Sequence, residues 1–542
     1  MLFNSYEFIC LFLPITVVVF FLLGRTSREW ALGWVIAASL FFYAWWRPLN
    51  VLIIAPSILV NFALARWLER LRDPERAGLA KGVLALGIVF NVAFLGYFKY
   101  ANFTTYVVND VFGTHYVLEQ IVLPLGISFI TFQKIAFLID VHARRVTSFT
   151  LRDYCLFVLF FPQLIAGPIV HFRELMPQFA RATCRFDTEN VTVGLTLFAF
   201  GLFKKVFLAD TLAPQVSTIF ADAVAGRPVS LLPGWMAALG FTLQIYFDFS
   251  GYSDMAIGAA RLFGVRLPPN FNSPLKSSSI IDFWLRWHMT LTRFLTAYIY
   301  NPLALAATRR RLARGGKGIA GRATSIGAFV QLLVVPTLIT MFVSGVWHGA
   351  GYLFIVWGVM HGIYLTVNHG WRLFAPKAWR ETGWLASLMH PIGFLLTFGS
   401  VVVSMVVFRA PTTDAAVGVF RGMLGLNGIE LPALVYDRLG PLAARLGQMG
   451  IVAAAGDGKD AVKMGLWIVA LGFVALACPN TLQMLNRHEP ALGWNADLGV
   501  YAIFGRPVTW RASLGWAAAV SIVAALGLVY LGGQSEFLYW QF

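Results

Sequence analysis

Charge is what this sequence has least of. Only 13% of its 542 residues are Asp, Glu, Lys or Arg, about half the ~25% of a soluble domain, and that shortage excludes an ordinary water-soluble fold. Cysteine is scarce too. Cys10, Cys155, Cys184 and Cys478 stand far apart, without the spacing of a disulfide framework or a zinc site, so no metal centre is expected. There is no phosphate-cradling glycine loop and no Gly-x-Ser-x-Gly hydrolase elbow. No repeat of fixed period occurs. Acidic residues number 26 against 42 basic ones, a net charge of +16. That excess does not point to nucleic acid, because the basic residues fall in short loops between apolar stretches, as the positive-inside rule produces.

Apolar residues make up 58% of the chain and come in long blocks, among them Phe8 to Gly24, Trp30 to Trp46, Val83 to Tyr97 and Leu514 to Leu531. Each is near the roughly 20 residues that span a hydrocarbon core, and the whole reads as an all-α polytopic membrane protein of about a dozen crossings. The first block lacks a basic start and a small-residue cleavage site, so it is expected to remain as a span. Arg25 and Arg28, then Arg70, Arg72, Arg76 and Lys81, then His142, Arg144 and Arg145 mark cytosolic loops. The stretch Asn102 to Tyr116 has no Lys or Arg and reads as outside, which puts both termini outside. Cys155 to Val170 is apolar but holds Pro162 and Gly167-Pro168, and both flanks look cytosolic; a re-entrant segment fits it, and Pro124 and Gly126 interrupt the fifth span similarly. Spans follow at about 190–208 and 230–247, then a long polar region at about 248–323 that is neither a plain span nor a plain loop. It ends in the basic run Arg309 to Arg322, either a solvated cytosolic loop or an attractor of anionic lipid or an anionic donor. The loop Arg409 to Lys459 should face outside.

Ionisable groups in hydrocarbon cost several kcal/mol, so each one there is a functional candidate. In Ile281 to Leu295, Trp284, Trp287, Leu291 and Phe294 recur at helical spacing with Asp282, Arg286 and Arg293 interleaved, which predicts one amphipathic helix, lying at or dipping into the interface, that carries His288. In Thr340 to Tyr352 a very apolar span ends in Trp347-His348-Gly349. His348 is there either as a neutral general base or as a structural histidine bonded across helices. His361, thirteen residues further on, reads as helix packing. Asp248, Ser250, Tyr252, Ser253 and Asp254 sit in apolar context and must be internally paired or line a polar passage.

A series of segments, in order, resembles the membrane-bound O-acyltransferase family in its bacterial alginate O-acetylase branch. They are MLFNSYEFICLFLP at the start, LPLGISFITFQKIAFLIDV (123–141), FFPQLIAGPIVHFREL (160–175), YFDFSGYSDMAIGAARLFGVRLPPNFNSP (246–274), DFWLRWHMTL (282–291), VSGVWHGAGYLFIVWGVMHGIY (343–364), VFRAP (407–411) and the closing FLYWQF (537–542). The resemblance implies one membrane domain over 1–542, with a catalytic region at about 246–368, built as a ring of about 12 transmembrane helices with re-entrant segments around a central tunnel. It makes His348 the family's near-invariant histidine and His288 its second. It implies transfer of an acetyl group from cytosolic acetyl-CoA, a substrate and not a resident cofactor, across the inner membrane for O-acetylation of an exported alginate-type polysaccharide. The acceptor is reached directly or through a periplasmic acyltransferase partner, and membrane lipid surrounds the chain.

Acyl transfer from a thioester needs a base and donors for the developing oxyanion. His348 supplies the first, and the Trp347 indole or backbone near Gly349 the second. Lys276, Arg286 and Arg293 are placed nearest the anionic donor, with Trp287 and Trp347 beside it. Other acceptors share the same motifs: cellulose, peptidoglycan, or teichoic acid by D-alanylation. A transporter, a flippase or a scaffold would also carry broken helices and intramembrane polar groups, without acyl turnover. Asn427 to Lys459 carries no family feature, and Trp540 is given no role.

Overall fold

The computed structural model describes residues 1–180, 184–376, 379, 383–494, 502–503 and 506–532. The closing 537–542 segment, with Trp540, lies outside the described residues. Helices α1 (Leu13–Thr26), α2 (Arg28–Ala44), α3 (Leu49–Arg70) and α4 (Ala77–Leu95) open the chain, and α4 runs through a π-turn (Gly96–Tyr100) into α5 (Ala101–Phe112). After an irregular stretch come α6 (Ile127–His142), α7 (Leu151–Leu159), the single turn α8 (Phe161–Leu164) and α9 (Phe172–Ala180). Next are α10 (Thr188–Phe203), α11 (Ala213–Val224), the long α12 (Leu231–Leu262), and the short α13 (Ile280–Arg286) and α14 (Met289–Leu295). α15 (Asn301–Ala313) and α16 (Ile326–Phe329) lead to α17 (Val335–His348), α18 (Tyr352–Phe374) and α19 (Gly383–Arg409). Beyond them lie α20 (Thr413–Met423), α21 (Ala433–Tyr436), α22 (Pro441–Gln448), α23 (Lys459–Ala477), α24 (Thr481–Met484) and α25 (Leu514–Val529). Among the described residues, 8 helical stretches are long and apolar enough to cross a membrane. Four further helices, α2, α6, α12 and α18, are shorter or more polar and lie among them. The chain is an all-α multi-pass membrane protein.

Apolar side chains face lipid and core alike, so polar contacts and close backbone approach fix how the helices pair. Lys134 of α6 donates to Ser57 of α3 at 2.7 Å, and Asn91 of α4 donates to Asn61 of α3 at 2.6 Å. α10 and α12 meet backbone to backbone. An added Cβ at Gly201 would lie 2.6 Å from the Gly251 carbonyl oxygen, and one at Gly258 2.6 Å from that of Gly194.

α12 is the first departure from expectation, since the polar region predicted to begin at 248 is helical to Leu262. The reason is internal pairing. Asp254 meets Lys204 at 2.6 Å and Asp248 meets Lys205 at 2.7 Å, both lysines coming from a π-helical turn that extends α10. Neutralised charges let the helix continue through the core.

The re-entrant expectation matches broken backbone. α7 stops at Phe160 (φ −50°, ψ 105°), α8 makes one turn, and 165–170 is irregular and buried. Its freed backbone groups are taken up by side chains: Phe161 N–H donates to Ser39 Oγ (3.2 Å), Ile169 N–H to Thr290 Oγ1 (3.0 Å), and Ile169 C=O accepts from Arg293 (3.2 Å). Pro124 and Gly126 do not interrupt α6 but precede it. Gly126 sits at φ +67°, and a Cβ there would lie 2.5 Å from the Leu164 carbonyl oxygen.

The 427–459 stretch is folded. Two three-residue strands, β1 (Ile429–Leu431) and β2 (Ile451–Ala453), pair in parallel and flank α21 and α22, and Glu430 accepts from Ser230 at the head of α12 (3.2 Å).

Candidate functional site

His348 is the last residue of α17, and Gly349 leaves the helix extended. α17 lies tightly on α18 because Gly345 and Gly358 face each other; a Cβ on Gly345 would sit 3.0 Å from the Gly358 Cα. The carbonyl end of α17 is then capped by a lysine side chain. Lys99, in the π-turn after α4, donates its Nζ to the Trp347 carbonyl and to that of His348 (3.0 Å), while the Tyr100 hydroxyl donates to Val346 (2.5 Å). An amine donor on these C-terminal carbonyls satisfies groups that the helix leaves without a partner.

The His348 imidazole makes no hydrogen bond among the described residues. It is held by three aromatic edges, Trp347 and Trp357 at 4.9 Å and Phe408 at 5.4 Å. It lines a cavity of about 50 Å³ together with Lys99, Pro124, Gly126, Ser128, Phe129 and Trp347.

His288 reaches the same place from another element. The single amphipathic helix predicted over 281–295 is broken: α13 ends at Arg286, and His288, at φ +43°, turns the chain into α14. His288 is fully buried, not interfacial. The alternation of Trp and charge is helical in period, but a buried turn between two short helices gives the same pattern over so few residues. A left-handed histidine is held there by tertiary contacts.

Asn270 supplies the decisive contact. Its Oδ1 accepts from the Thr290 hydroxyl (2.9 Å) and from the Thr290 N–H (3.4 Å), and lies 3.0 Å from His288 Nδ1. A backbone N–H only donates, so the amide oxygen faces this group and His288 Nδ1 carries the proton. In the neutral ring, Nε2 is therefore an acceptor, and it is buried without a partner among the described residues. Trp347 lies between the histidines, its ring 6.2 Å from His288 and 4.9 Å from His348. The indole N–H groups of Trp347 and Trp357 are also buried and unpartnered among the described residues. His348 and Trp347 thus line the small cavity, with His288 and Trp357 packed against them.

The remaining predicted residues divide. His361 packs helices: its Nδ1 accepts from Trp284 (3.2 Å) and its Nε2 meets Ser404 (2.9 Å), tying α13, α18 and α19. Trp287 stacks on Phe283 at 5.5 Å and edges onto Phe271 at 5.1 Å. Arg293 forms a pair of hydrogen bonds with Glu174 (2.8 and 2.9 Å), Arg286 bonds Asp282 (2.9 Å), and Lys276 donates to the Cys478 carbonyl (2.6 Å). Burial pulls the Lys276 ammonium down to about 8, with Arg286 adding to the effect. Sequence reading missed Lys99 and Asn270. The only signals were a lone lysine ending an apolar run and an asparagine in a polar stretch.

Comparison with known proteins gives the family of the chain. Residues 81–315 match the model of MBOAT, the membrane-bound O-acyltransferase family. A peptidoglycan O-acetyltransferase of Helicobacter pylori is 37% identical over 460 residues, covering 80% of this chain and 81% of its own. The chain belongs to the membrane-bound O-acyltransferase family. It is an O-acyltransferase. A probable alginate O-acetylase of Pseudomonas aeruginosa is 36% identical over 441 residues (80% of this chain, 77% of its own), and a teichoic acid D-alanyltransferase of Streptococcus thermophilus is 28% identical over 305 (54% and 69%).

Proposed function

We propose that this acyltransferase takes an acetyl group from cytosolic acetyl-CoA and delivers it across the inner membrane for O-acetylation of an exported, alginate-type polysaccharide, directly or through a periplasmic acyltransferase partner. The observation that carries the reading is the His348 imidazole, free of hydrogen bonds among the described residues, set among the Trp347 and Trp357 rings and lining a small, mostly apolar cavity. In that site the ring takes the proton of an incoming hydroxyl as its oxygen bonds to the thioester carbonyl carbon. The Trp347 indole N–H holds the developing oxyanion. The carbon–sulfur bond then breaks, and the thiolate takes the proton back from the imidazolium. His288, with Nδ1–H held by Asn270, offers its Nε2 to relay or orient. Arg293, Arg286 and Lys276 serve the donor side, with Trp287 backing His288.

The relatives' names support a cell-envelope glycan acceptor. The peptidoglycan enzyme and the alginate enzyme are about equally similar, at 37% and 36%, which favours peptidoglycan as the second reading. Deletion of the gene, followed by ester analysis of both polymers, decides between them. Under the first reading the exported polysaccharide is made in normal amount without O-acetyl groups. In vesicles given labelled acetyl-CoA on the cytosolic face, label should leave CoA as an ester. Label that stays on CoA in the presence of acceptor and partner sinks the reading in favour of a transporter.

A further inference from the structure

Lys99 is an intramembrane amine without an acid beside it. It stands in the helical stretch Pro74–Phe112, which is long and apolar enough to cross a membrane, and it makes no ion pair among the described residues. An ionisable side chain in that setting is costly unless its donors are used. Both of its hydrogen bonds go to backbone, to the carbonyls of Trp347 and His348. The next residue does the same, since the Tyr100 hydroxyl donates to Val346. Three consecutive carbonyls at the end of α17 are therefore held by two consecutive side chains of the π-turn. On a regular helix, neighbouring side chains point about 100° apart. Tyr100, at φ −113° and ψ −9°, has left helical values, and both side chains reach the same helix end.

What these bonds hold is the direction of His348. A histidine is commonly aimed by a hydrogen bond on its other nitrogen, as His288 is by Asn270 and His361 by Trp284 and Ser404. The His348 ring has no such bond among the described residues. Its direction is set by the aromatic edges around it and by where α17 ends. Beyond it the backbone is extended at Gly349 and again at Gly351, so no further helical turn steadies it. Lys99 also lines the cavity with His348 and Trp347, its Nζ 5.9 Å from the centre of the Trp347 ring. One side chain thus fixes the backbone of both residues to which the transfer step is assigned.

We propose that Lys99, together with Tyr100, is a positioning residue for acyl transfer, holding the end of α17 so that the His348 imidazole and the Trp347 indole N–H meet the reacting carbonyl together. The inference rests on the reading of His348 as the base. The test uses inner-membrane vesicles of the deletion strain expressing each full-length variant, with labelled acetyl-CoA on the cytosolic face and ester formed per folded molecule measured across donor concentrations. Lys99→Met keeps the reach of the side chain and loses its donors. Its kcat should fall roughly 10- to 100-fold, the scale of a reacting group displaced by about 1 Å, with KM for acetyl-CoA unchanged. Lys99→Arg should recover part of the loss. Tyr100→Phe is nearly isosteric, should lower kcat about fivefold, and carries the test if Lys99→Met fails to insert. In a His348→Gln background, Lys99→Met should slow transfer no further, because it acts through that ring. Lys134→Met removes another intramembrane amine, the one that bonds Ser57 between α6 and α3, and should lower stability with kcat within about twofold of wild type. No ester from the wild type, or a wild-type rate from His348→Gln, overturns the reading of the base and this inference with it. Loss in His348→Gln alongside wild-type kcat in Tyr100→Phe and in the Lys99 variants that insert overturns the inference alone. So does a kcat loss in Lys134→Met equal to that in Lys99→Met, or a further loss in the double variant, either of which makes Lys99 a packing residue. A raised KM with kcat unchanged makes it a donor-binding group, also against the proposal.

Discussion

His348 and His361 are both buried histidines on neighbouring helices, and their hydrogen bonds separate their roles. His361 spends both nitrogens on Trp284 and Ser404, whereas the His348 ring has no such bond among the described residues. His348→Gln keeps a polar side chain of similar reach but cannot accept a proton near neutral pH. Acetyl transfer should fall roughly 100-fold or more, with donor binding retained; near-normal transfer by folded, inserted protein would remove His348 from catalysis. His361→Gln should instead cost stability, about 1 kcal/mol for a disturbed interhelical bond, with a milder effect on transfer at equal folded yield. Asn270→Ala removes the acceptor that fixes the His288 tautomer, so transfer should drop with donor affinity intact, and Asn270→Asp should restore part of it. Recovery by Asp but not by Leu distinguishes a positioning role from packing. The histidines were legible because each stands in a local motif. Lys99 was not, because its partners at 347 and 348 lie 248 and 249 residues away, and no periodicity encodes that.

Elements were legible where a local rule governs them. Pro162 and Gly167-Pro168 announced broken backbone, and the long apolar blocks announced spans. They were illegible where pairing comes from elsewhere in the chain. Asp248 and Asp254 looked like the end of a span because Lys204 and Lys205, which neutralise them, stand about fifty residues upstream (Lys204 and Asp254 are 50 apart). The 281–295 segment was read as one helix because seven residues on each side of a turn are too few to show a phase change. The α17–α18 contact gives the element-scale prediction. Gly345 meets Gly358 with no room for a Cβ, so Gly345→Leu must push α17 outward and move His348 off its aromatic frame. Overpacking of this kind costs about 1–3 kcal/mol. Transfer should be lost, and a thermal-shift assay should show lower stability. Gly33→Leu, where a Cβ meets nothing, should leave both unchanged. Wild-type transfer by Gly345→Leu would mean that the position of α17 does not set the site.

For the whole molecule, the arginine-rich loops fix which membrane face the ends of the helices meet. Arg28, Arg145, Arg152 and Arg173 line one cavity among loops that also hold Arg25, Arg70, Arg72 and Arg144, and Arg72 bonds the Val146 and Thr147 carbonyls there. By the positive-inside rule this face is cytosolic. The 309–322 run belongs to the same face if α17 then crosses outward, which places His348 and the Lys99 cap toward the opposite side and the folded 427–459 segment outside. Single cysteines at Lys317 and Gln448, both exposed, test this arrangement in a background lacking Cys10, Cys155, Cys184 and Cys478. An impermeant maleimide applied to intact spheroplasts should label the Gln448 site and spare the Lys317 site until the membrane is opened. The reverse pattern would invert the protein and put the arginine-rich loops outside, against the positive-inside rule. Labelling of both sites in sealed cells would place an odd number of crossings wrongly between them, in the α16–α19 segment that carries His348.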